Sequence, residues 1–106
     1  MGSSAVKGPN DVIHQTLRLK IMAALHALSA GEAIEFPRLK AAVEATDGNL
    51  GAHLGTLENA GYVTLEKDFN GKKPRTRITL TRAGRTAFAD HVAYLRDILD
   101  ATKPPG

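Results

Sequence analysis

The outer face of a helix in the middle of the chain carries side chains that could recognise a hydrogen-bonding ligand. Leucines recur there at helical spacing and are predicted to face inward: Leu50, Leu54 and Leu57. The side chains left on the outer face are Asn49, Ala52, His53 and Thr56. Amide, imidazole and hydroxyl groups can bond base edges or phosphate oxygens, and a threonine methyl group can contact a thymine methyl group. The helix could therefore read the groove of a nucleic acid.

A hairpin after this helix concentrates the positive charge of the chain. Residues 67–85 hold seven basic residues and a single acid, Asp68, whereas acids outnumber bases in the rest of the sequence. Asn70-Gly71 is a strong hairpin signal, and the basic side chains at or beside it are Lys72, Lys73, Arg75 and Arg77. Each phosphate that such a segment neutralises releases condensed counterions. Charge alone leaves two readings open, a polyanion partner or a solvated surface hairpin.

Capping residues, apolar periodicity and turn signals predict the elements that must position these side chains. In chain order they are a helix from Asn10 or Asp11 to Ser29, a strand over 33–36, a helix over 37–44, a helix capped by Thr46 or Asp47 and ended by Gly61, strands over 62–69 and 76–80, and a helix over 81–101. This order, α-β-α-α-β-β-α, predicts a mainly helical winged helix-turn-helix with a small β-hairpin and a long C-terminal helix.

The length of 106 residues predicts one domain. We assign residues 1–9 to a flexible arm and residues 10–102 to a single winged-helix domain that includes the C-terminal helix 81–101. The first and last helices carry more apolar surface than so small a domain can cover by itself. We therefore expect a homodimer whose interface contains Ile13, Leu17, Phe88, Val92, Leu95, Ile98 and Leu99.

Several classes of function lack their sequence signals. The chain has no cysteine, and no two of its four histidines stand at a metal-binding helical spacing, so we expect neither a metal nor another cofactor. No phosphate-binding glycine loop, nucleophile elbow or convincing acid pair predicts an enzyme. No membrane-length apolar stretch or secretory signal is present, and we expect a cytoplasmic protein that binds no membrane.

An ordered series of short motifs resembles the small winged-helix transcriptional regulators of the multiple-antibiotic-resistance and arsenical-repressor types. The resemblance covers about residues 11 to 100, and the order and spacing of the motifs make it specific although each piece alone is weak. Its pieces are Ile13-His14, Arg18-Leu-Lys-Ile21, Gly48-Asn-Leu-Gly-Ala-His-Leu54, Leu57-Glu-Asn-Ala-Gly-Tyr-Val63, Lys67-Asp-Phe69, Pro74-Arg-Thr76 and Leu80-Thr-Arg-Ala-Gly-Arg85.

The resemblance implies a dimeric regulator that binds double-stranded DNA. Its recognition helix would lie in the major groove and the hairpin tip along a phosphate backbone or minor groove, with two such helices on a near-palindromic operator. Gly51 stands where relatives usually have a serine or another small polar residue, and Gly55 follows one turn later. These glycines are explained either by close approach of the helix to DNA or by close packing against a neighbouring helix.

Two other partners are weighed against DNA. A winged helix can serve as a protein-binding module without specific DNA binding, and Gly51, Ala52 and Gly55 could form a groove for a partner helix. RNA is disfavoured because aromatic residues are only 5% of the chain. For Arg82 and Arg85 an intramolecular partner, such as Glu66 or Asp68, is at least as expected as a phosphate. Whether a small-molecule effector binds at the dimer interface is open.

Overall fold

The computed structural model of the chain describes residues 9–102, which form five helices and three strands. The elements are α1 (Asp11–His14), α2 (Thr16–His26), β1 (Ala33–Glu35), α3 (Phe36–Val43), α4 (Asp47–Asn59), β2 (Val63–Asn70), β3 (Lys73–Leu80) and α5 (Arg82–Ala101). The predicted fold class, mainly helical with a small sheet and a long last helix, is confirmed. The predicted flexible arm lies, except for Pro9, outside the described residues.

The N-terminal region forms two helices where one continuous helix was predicted. The break lies at Gln15, whose extended backbone (φ −65°, ψ 133°) interrupts the helical hydrogen bonds. Both helices have a side-chain cap, because Asn10 accepts from the amides of Val12 and Ile13 while Gln15 accepts from the amide of Arg18. Gln15 is thus both the C-cap of α1 and the N-cap of α2.

A tight turn joins α3 to α4. Glu44 ends α3 in the left-handed region, with φ 56°. Thr46 then caps α4 by accepting from the amide of Asn49 at 3.1 Å, which confirms one of the two caps predicted there. Pro37 lies in the first turn of α3, where its missing amide hydrogen removes no helical hydrogen bond. The result is the predicted pair of helices separated by three residues.

The sheet is antiparallel with the strand order β1-β3-β2. The β2–β3 hairpin, residues 63–80, will be called the wing. Asn70 pairs with Lys73 at its end, and Gly71 adopts φ 67° in the two-residue turn between them. Pairing extends further than predicted, because β3 begins at Lys73 and not at Thr76.

The core lies between the sheet and the helices and is built from aliphatic side chains. Its fully buried members include Ile13, Ile21, Met22, Leu25, Leu39, Leu50, Leu54, Leu57 and Ile78. Thr81 caps α5, as predicted, by accepting from the amide of Gly84. A Cβ atom on Gly84 would collide with the backbone oxygen of Tyr62, so this glycine allows α5 to pack closely against the start of the wing. None of the described helices is long and apolar enough to cross a bilayer.

Candidate nucleic-acid interface

The outer face of α4 is open to solvent over most of its length. Asn49, Ala52 and Thr56 are exposed and His53 is half-buried, whereas the leucine stripe on the opposite face is fully buried. The hydroxyl of Thr56 lies 3.4 Å from the carbonyl oxygen of Ala52, one turn earlier in the same helix. The four candidate side chains of this helix therefore lie outside the core, and the leucines hold the helix in place behind them.

His53 is connected to the N-terminal helices through Arg18. The Nη1 atom of Arg18 lies 3.0 Å from Nδ1 of His53, while Nε of Arg18 donates to the carbonyl oxygen of Val12. A guanidinium can only donate, so Nδ1 of His53 accepts and the neutral ring carries its proton on Nε2. Within residues 9–102 this Nε2–H has no hydrogen-bond partner and is not among the buried orphan atoms. It is therefore available as a donor.

Arg18 is a functional candidate that the sequence reasoning did not select. The Arg18-Leu-Lys-Ile21 motif contained the signal, but its contact with His53 joins residues 35 positions apart and depends on how α2 packs against α4. Arg18 is half-buried and forms no ion pair within residues 9–102. It fixes both the position and the tautomer of the one imidazole on the recognition face.

The glycines of α4 do not pack against the rest of the described chain. A Cβ atom built on Gly51 or Gly55 meets no other heavy atom within 4 Å, apart from the neighbouring residues and backbone of its own helix. Close packing against a neighbouring helix of the same chain, one of the two explanations offered by the sequence, is therefore wrong. Approach of an external surface to the helix backbone is the explanation that is left.

Both arginines of the wing form ion pairs with acidic side chains. Arg75 and Asp68 face each other across the β2–β3 ladder and form a two-pronged pair, with Nε to Oδ1 at 2.9 Å and Nη2 to Oδ2 at 3.0 Å. Arg77 donates to the same carboxylate at 3.1 Å and lies 3.7 Å from Glu66. Glu35 in β1 lies 4.0 Å from Arg75. These residues share one face of the sheet because their ladder positions have the same parity.

The Asp68–Arg75 hydrogen bond lowers the pKa of Asp68 from its ordinary value, and partial burial only partly opposes this effect. The same bond raises the pKa of Arg75. The carboxylate and guanidinium are thus each stabilised in the charged form by the other. The positive charge counted from sequence overstates the charge that the wing arginines present to a partner.

The lysines at the tip differ from the arginines. Lys72 and Lys73 are exposed, and within residues 9–102 neither forms an ion pair. Lys72 occupies the turn and Lys73 is the first residue of β3. Of the four basic residues predicted to contact DNA, these two lysines are the ones whose charge is not paired within residues 9–102.

Neither Glu66 nor Asp68, the examples given of an intramolecular partner, forms an ion pair with Arg82 or Arg85. Those acids are engaged by Arg77 and Arg75, which lie opposite them in the strand register. Arg82 is exposed, and Nη2 of Arg85 is buried without a hydrogen-bond partner among the described residues. Residues directly opposite each other in the strand ladder lie within pairing distance, so Arg75 and Arg77 bind these acids and the first turn of α5 does not.

The predicted dimer residues are one core residue, one half-buried residue of α2 and a stripe along α5 that becomes exposed toward its C-terminal end. Ile13 is fully buried in its own chain, so it offers no surface to a partner and its assignment is corrected. Leu17 on α2 is half-buried. On α5, exposure increases toward the C-terminal end, from half-buried Phe88, Val92 and Leu95 to Ile98 and Leu99, which are 41% and 69% exposed.

A buried imidazole ties α5 to the N-terminal helix. His91 is 1% exposed, and its Nδ1 accepts from the backbone amide of Asn10 at 3.2 Å. The side-chain amide of Asn10 also donates to the hydroxyl of Tyr62 at 2.9 Å. Burial, followed by repulsion from His14, lowers the pKa of His91. His26 packs against Phe88 and is half-buried, whereas His91 lies inside the core.

The chain is similar in sequence and in fold to known proteins. A family model described as a winged helix DNA-binding domain matches residues 17–99. The chain belongs to the winged-helix DNA-binding domain family. It is also 37% identical over 92 residues to an uncharacterised protein of Methanocaldococcus jannaschii, in a match that covers 87% of this chain and 94% of that protein.

Solved structures show the same winged-helix fold. One is a transcriptional regulator homologue from Pyrococcus horikoshii OT3, with a TM-score of 0.80, 24% identity and coverage of 90% of this chain and 91% of that one. Another is assigned to the MarR family of transcriptional regulators, from Porphyromonas gingivalis W83, with a TM-score of 0.64, 18% identity and coverage of 85% and 80%. The family model and these folds confirm the predicted winged-helix resemblance, and the family is that of a DNA-binding domain.

Proposed function

We propose that this winged-helix protein is a sequence-specific transcriptional regulator that binds a near-palindromic DNA operator as a homodimer. The observation that carries the proposal is the outer face of α4, which is open except where Arg18 contacts His53 and whose backbone can be approached closely at Gly51 and Gly55. In each protomer α4 enters a major groove, and the wing lies along the adjacent backbone or minor groove. Such a regulator works beside the chromosome, in the cytoplasm.

In this proposal only a few side chains of α4 recognise the DNA bases. Asn49, through its amide, and His53, through its Nε2–H, can bond base edges, and Thr56 can contact a phosphate or a thymine methyl group. Lys72 and Lys73 supply charge for phosphates, while Arg75 and Arg77 must first exchange their carboxylate partners for phosphate. Phosphate contacts therefore exceed base contacts, and much of the affinity depends on salt.

The proposed dimer forms through the exposed stripe of α5 together with α2. A groove of about 420 Å³ runs beside this stripe and is lined by His26, Phe88, Ala89, Val92, Ala93 and Arg96. Leu99 is 69% exposed, and a second copy of the chain would cover it. Two recognition helices would then face half-sites spaced by one helical turn, roughly 34–36 Å.

Sedimentation of Leu95→Asp and Leu99→Asp tests this interface. Each change places a charge in the apolar seam, so monomers are expected. Thr86→Asp is the matched control, because it adds the same charge at an exposed position of the same helix. Dimers that persist in both stripe variants would move the interface elsewhere.

Selection of genomic DNA fragments with the purified protein tests the function itself. Sequencing of the bound fraction is expected to recover an enriched, near-palindromic motif. Uniform recovery would contradict sequence-specific regulation and favour the other function considered, a winged-helix module whose small residues Gly51, Ala52 and Gly55 receive a helix of a protein partner.

A further inference from the structure

One large apolar side chain is exposed far from the stripe on α5. Phe69, near the end of β2, is 68% exposed. It pairs directly with Pro74 across the ladder, so both apolar groups lie on the same face of the wing. Leu65 and Ile78 occupy the same face four residues closer to the core, where Ile78 is fully buried. The core-facing side of the wing thus continues beyond the core as an apolar tip, defined here as Phe69 and Pro74.

Basic side chains surround this apolar tip. Lys72 and Lys73 follow in the turn and at the start of β3, and Lys67 lies on the same face as Phe69 two residues earlier. The acids that hold Arg75 and Arg77 lie on the other face, because Asp68 and Glu66 alternate with Phe69 and Lys67 along β2. Lys73, opposite Asn70, lies on the ion-paired face. Phe69 thus has Lys67 on its own face, Lys72 in the adjoining turn and Lys73 on the other face, and none of these lysines forms an ion pair within residues 9–102.

We infer that the apolar tip is a wedge that enters the minor groove of DNA and partly unstacks a base step. This inference rests on the proposed function and names the groove and the residue through which the wing acts. Charge complementarity selects the partner, since the three lysines attract phosphates on both sides of the groove while the ring meets bases. Phenylalanine and proline are among the side chains that proteins insert between base steps, and such insertion kinks the duplex toward the major groove.

The position of Phe69 suits a wedge better than a contact between protomers. The exposed apolar residues of α5 belong to a helical stripe, whereas Phe69 lies one residue from the final pair of the hairpin. Isolated exposed apolar residues are common on protein surfaces. Here, however, the ring is opposite a proline on a strand pair whose remaining tip residues are polar or basic, which is the composition of an insertion element.

The test uses the full chain and duplexes recovered by the genomic selection, with 2-aminopurine placed at successive positions outside the major-groove half-sites. The wild-type protein is expected to raise 2-aminopurine fluorescence at one step per half-site and to bend the duplex, as measured by energy transfer between end labels. Phe69→Ala should abolish the fluorescence rise, reduce the bend and weaken binding by three- to thirty-fold. Phe69→Leu, which keeps an apolar wedge, should retain much of each signal.

Thr64→Ala is the matched control, because Thr64 is exposed on the opposite face of β2. Its bend, fluorescence and affinity should equal those of the wild-type protein. Phe69→Ala should also leave the slope of affinity against salt unchanged, since it removes no charge. If Phe69→Ala equals the wild-type protein in DNA affinity, bend and fluorescence, the wedge is overturned but the proposed function is not. A change of oligomeric state in Phe69→Ala would assign the ring to a protomer contact and also overturn the wedge. Failure of the wild-type chain to bind any DNA would overturn both.

Discussion

The recognition helix α4 and the wing are the two parts of the proposed DNA interface, and they are built in opposite ways. Three fully buried leucines hold α4 against the core, and its exposed side is composed of small or short side chains. The wing projects from the core, and its two arginines are held by ion pairs with Asp68, Glu66 and Glu35. The helix α4 thus presents a rigid shape, whereas the charge that the wing arginines present depends on their ion pairs within the sheet.

The largest expected effect is on the free energy of unfolding, to which α4 and the wing should contribute differently. Leu54→Ala removes a fully buried side chain behind α4 and should lower the free energy of unfolding by about 2–5 kcal/mol. Phe69→Ala removes a larger but 68% exposed side chain from the wing and should change the free energy of unfolding by less than about 0.5 kcal/mol. Urea unfolding measures both values. Equal losses in the two variants would show that Phe69 of the wing is as much a part of the core as Leu54.

The next effect concerns the charge of the wing. Lys72→Ala combined with Lys73→Ala should weaken binding to every DNA sequence and flatten the slope of log affinity against log salt by about 1.8, two phosphate contacts at about 0.9 each. Asp68→Asn should do the opposite, because it removes the carboxylate that holds Arg75 and Arg77. Salt titrations of binding to one fixed duplex give the slopes. A flatter slope in Asp68→Asn would show that the ion pairs position the arginines for DNA and do not compete with it.

A smaller effect tests the rigid shape of α4 at His53. Gln places a donor amide near the position of Nε2, whereas Asn places its amide near Nδ1, where Arg18 already donates. His53→Gln should therefore keep most of the DNA affinity, and His53→Asn should lose about 0.5–1.5 kcal/mol of it, the net worth of one hydrogen bond. The ¹⁵N chemical shifts of the ring should report a proton on Nε2 in the wild-type protein and an altered tautomer ratio in Arg18→Met. Equal affinities of the two variants, with no tautomer change, would remove His53 and Arg18 from the interface.

The smallest expected effect lies behind both parts, at His91. Because its pKa is lowered in the folded state, the unfolded chain binds a proton at higher pH than the folded chain does. Stability should thus be full at neutral pH and fall as the pH drops through about 6.5, the ordinary value for histidine. The loss at Asp68, whose pKa is also lowered, begins only below its ordinary value of 3.8. Thermal midpoints between pH 7.5 and 5 should fall less in His91→Asn, which keeps an acceptor for the amide of Asn10. Identical curves would contradict this assignment.

Local signals made much of the fold predictable. Thr46 and Thr81 cap the helices that follow them, and the leucines at 50, 54 and 57 fall on the buried face, because both features depend on residues within two helical turns. The break at Gln15 was missed, since the apolar positions on both sides fit one helical period and the break depends on a cap formed by a glutamine. The extension of β3 to Lys73 was missed because Pro74 is disfavoured within strands, but Phe69 pairs with it there.

The candidate site was less predictable than the fold, because its electrostatics depend on register and tertiary contact. The segment over 67–85 is rich in basic residues, but only the register of β2 against β3 places Asp68 opposite Arg75 and Glu66 opposite Arg77. In the same way, nothing local to His53 indicates that Arg18 donates to it. Residue types and outward positions on α4 followed from periodicity, and the partners of those residues did not.

The most direct test of the central claim, that α4 and the wing grip one DNA duplex together, is a hydroxyl-radical footprint on a selected operator. The wild-type protein should protect two segments related by two-fold symmetry and separated by roughly 34–36 Å along the helix axis, each with a flanking minor-groove segment. The double variant Lys72→Ala, Lys73→Ala should still protect the two symmetric segments and lose protection of the flanking minor-groove segments. Two results would contradict a joint grip by α4 and the wing. One is a wild-type footprint without the paired segments. The other is a double variant that loses the paired segments together with their flanking minor-groove segments at concentrations that saturate the operator.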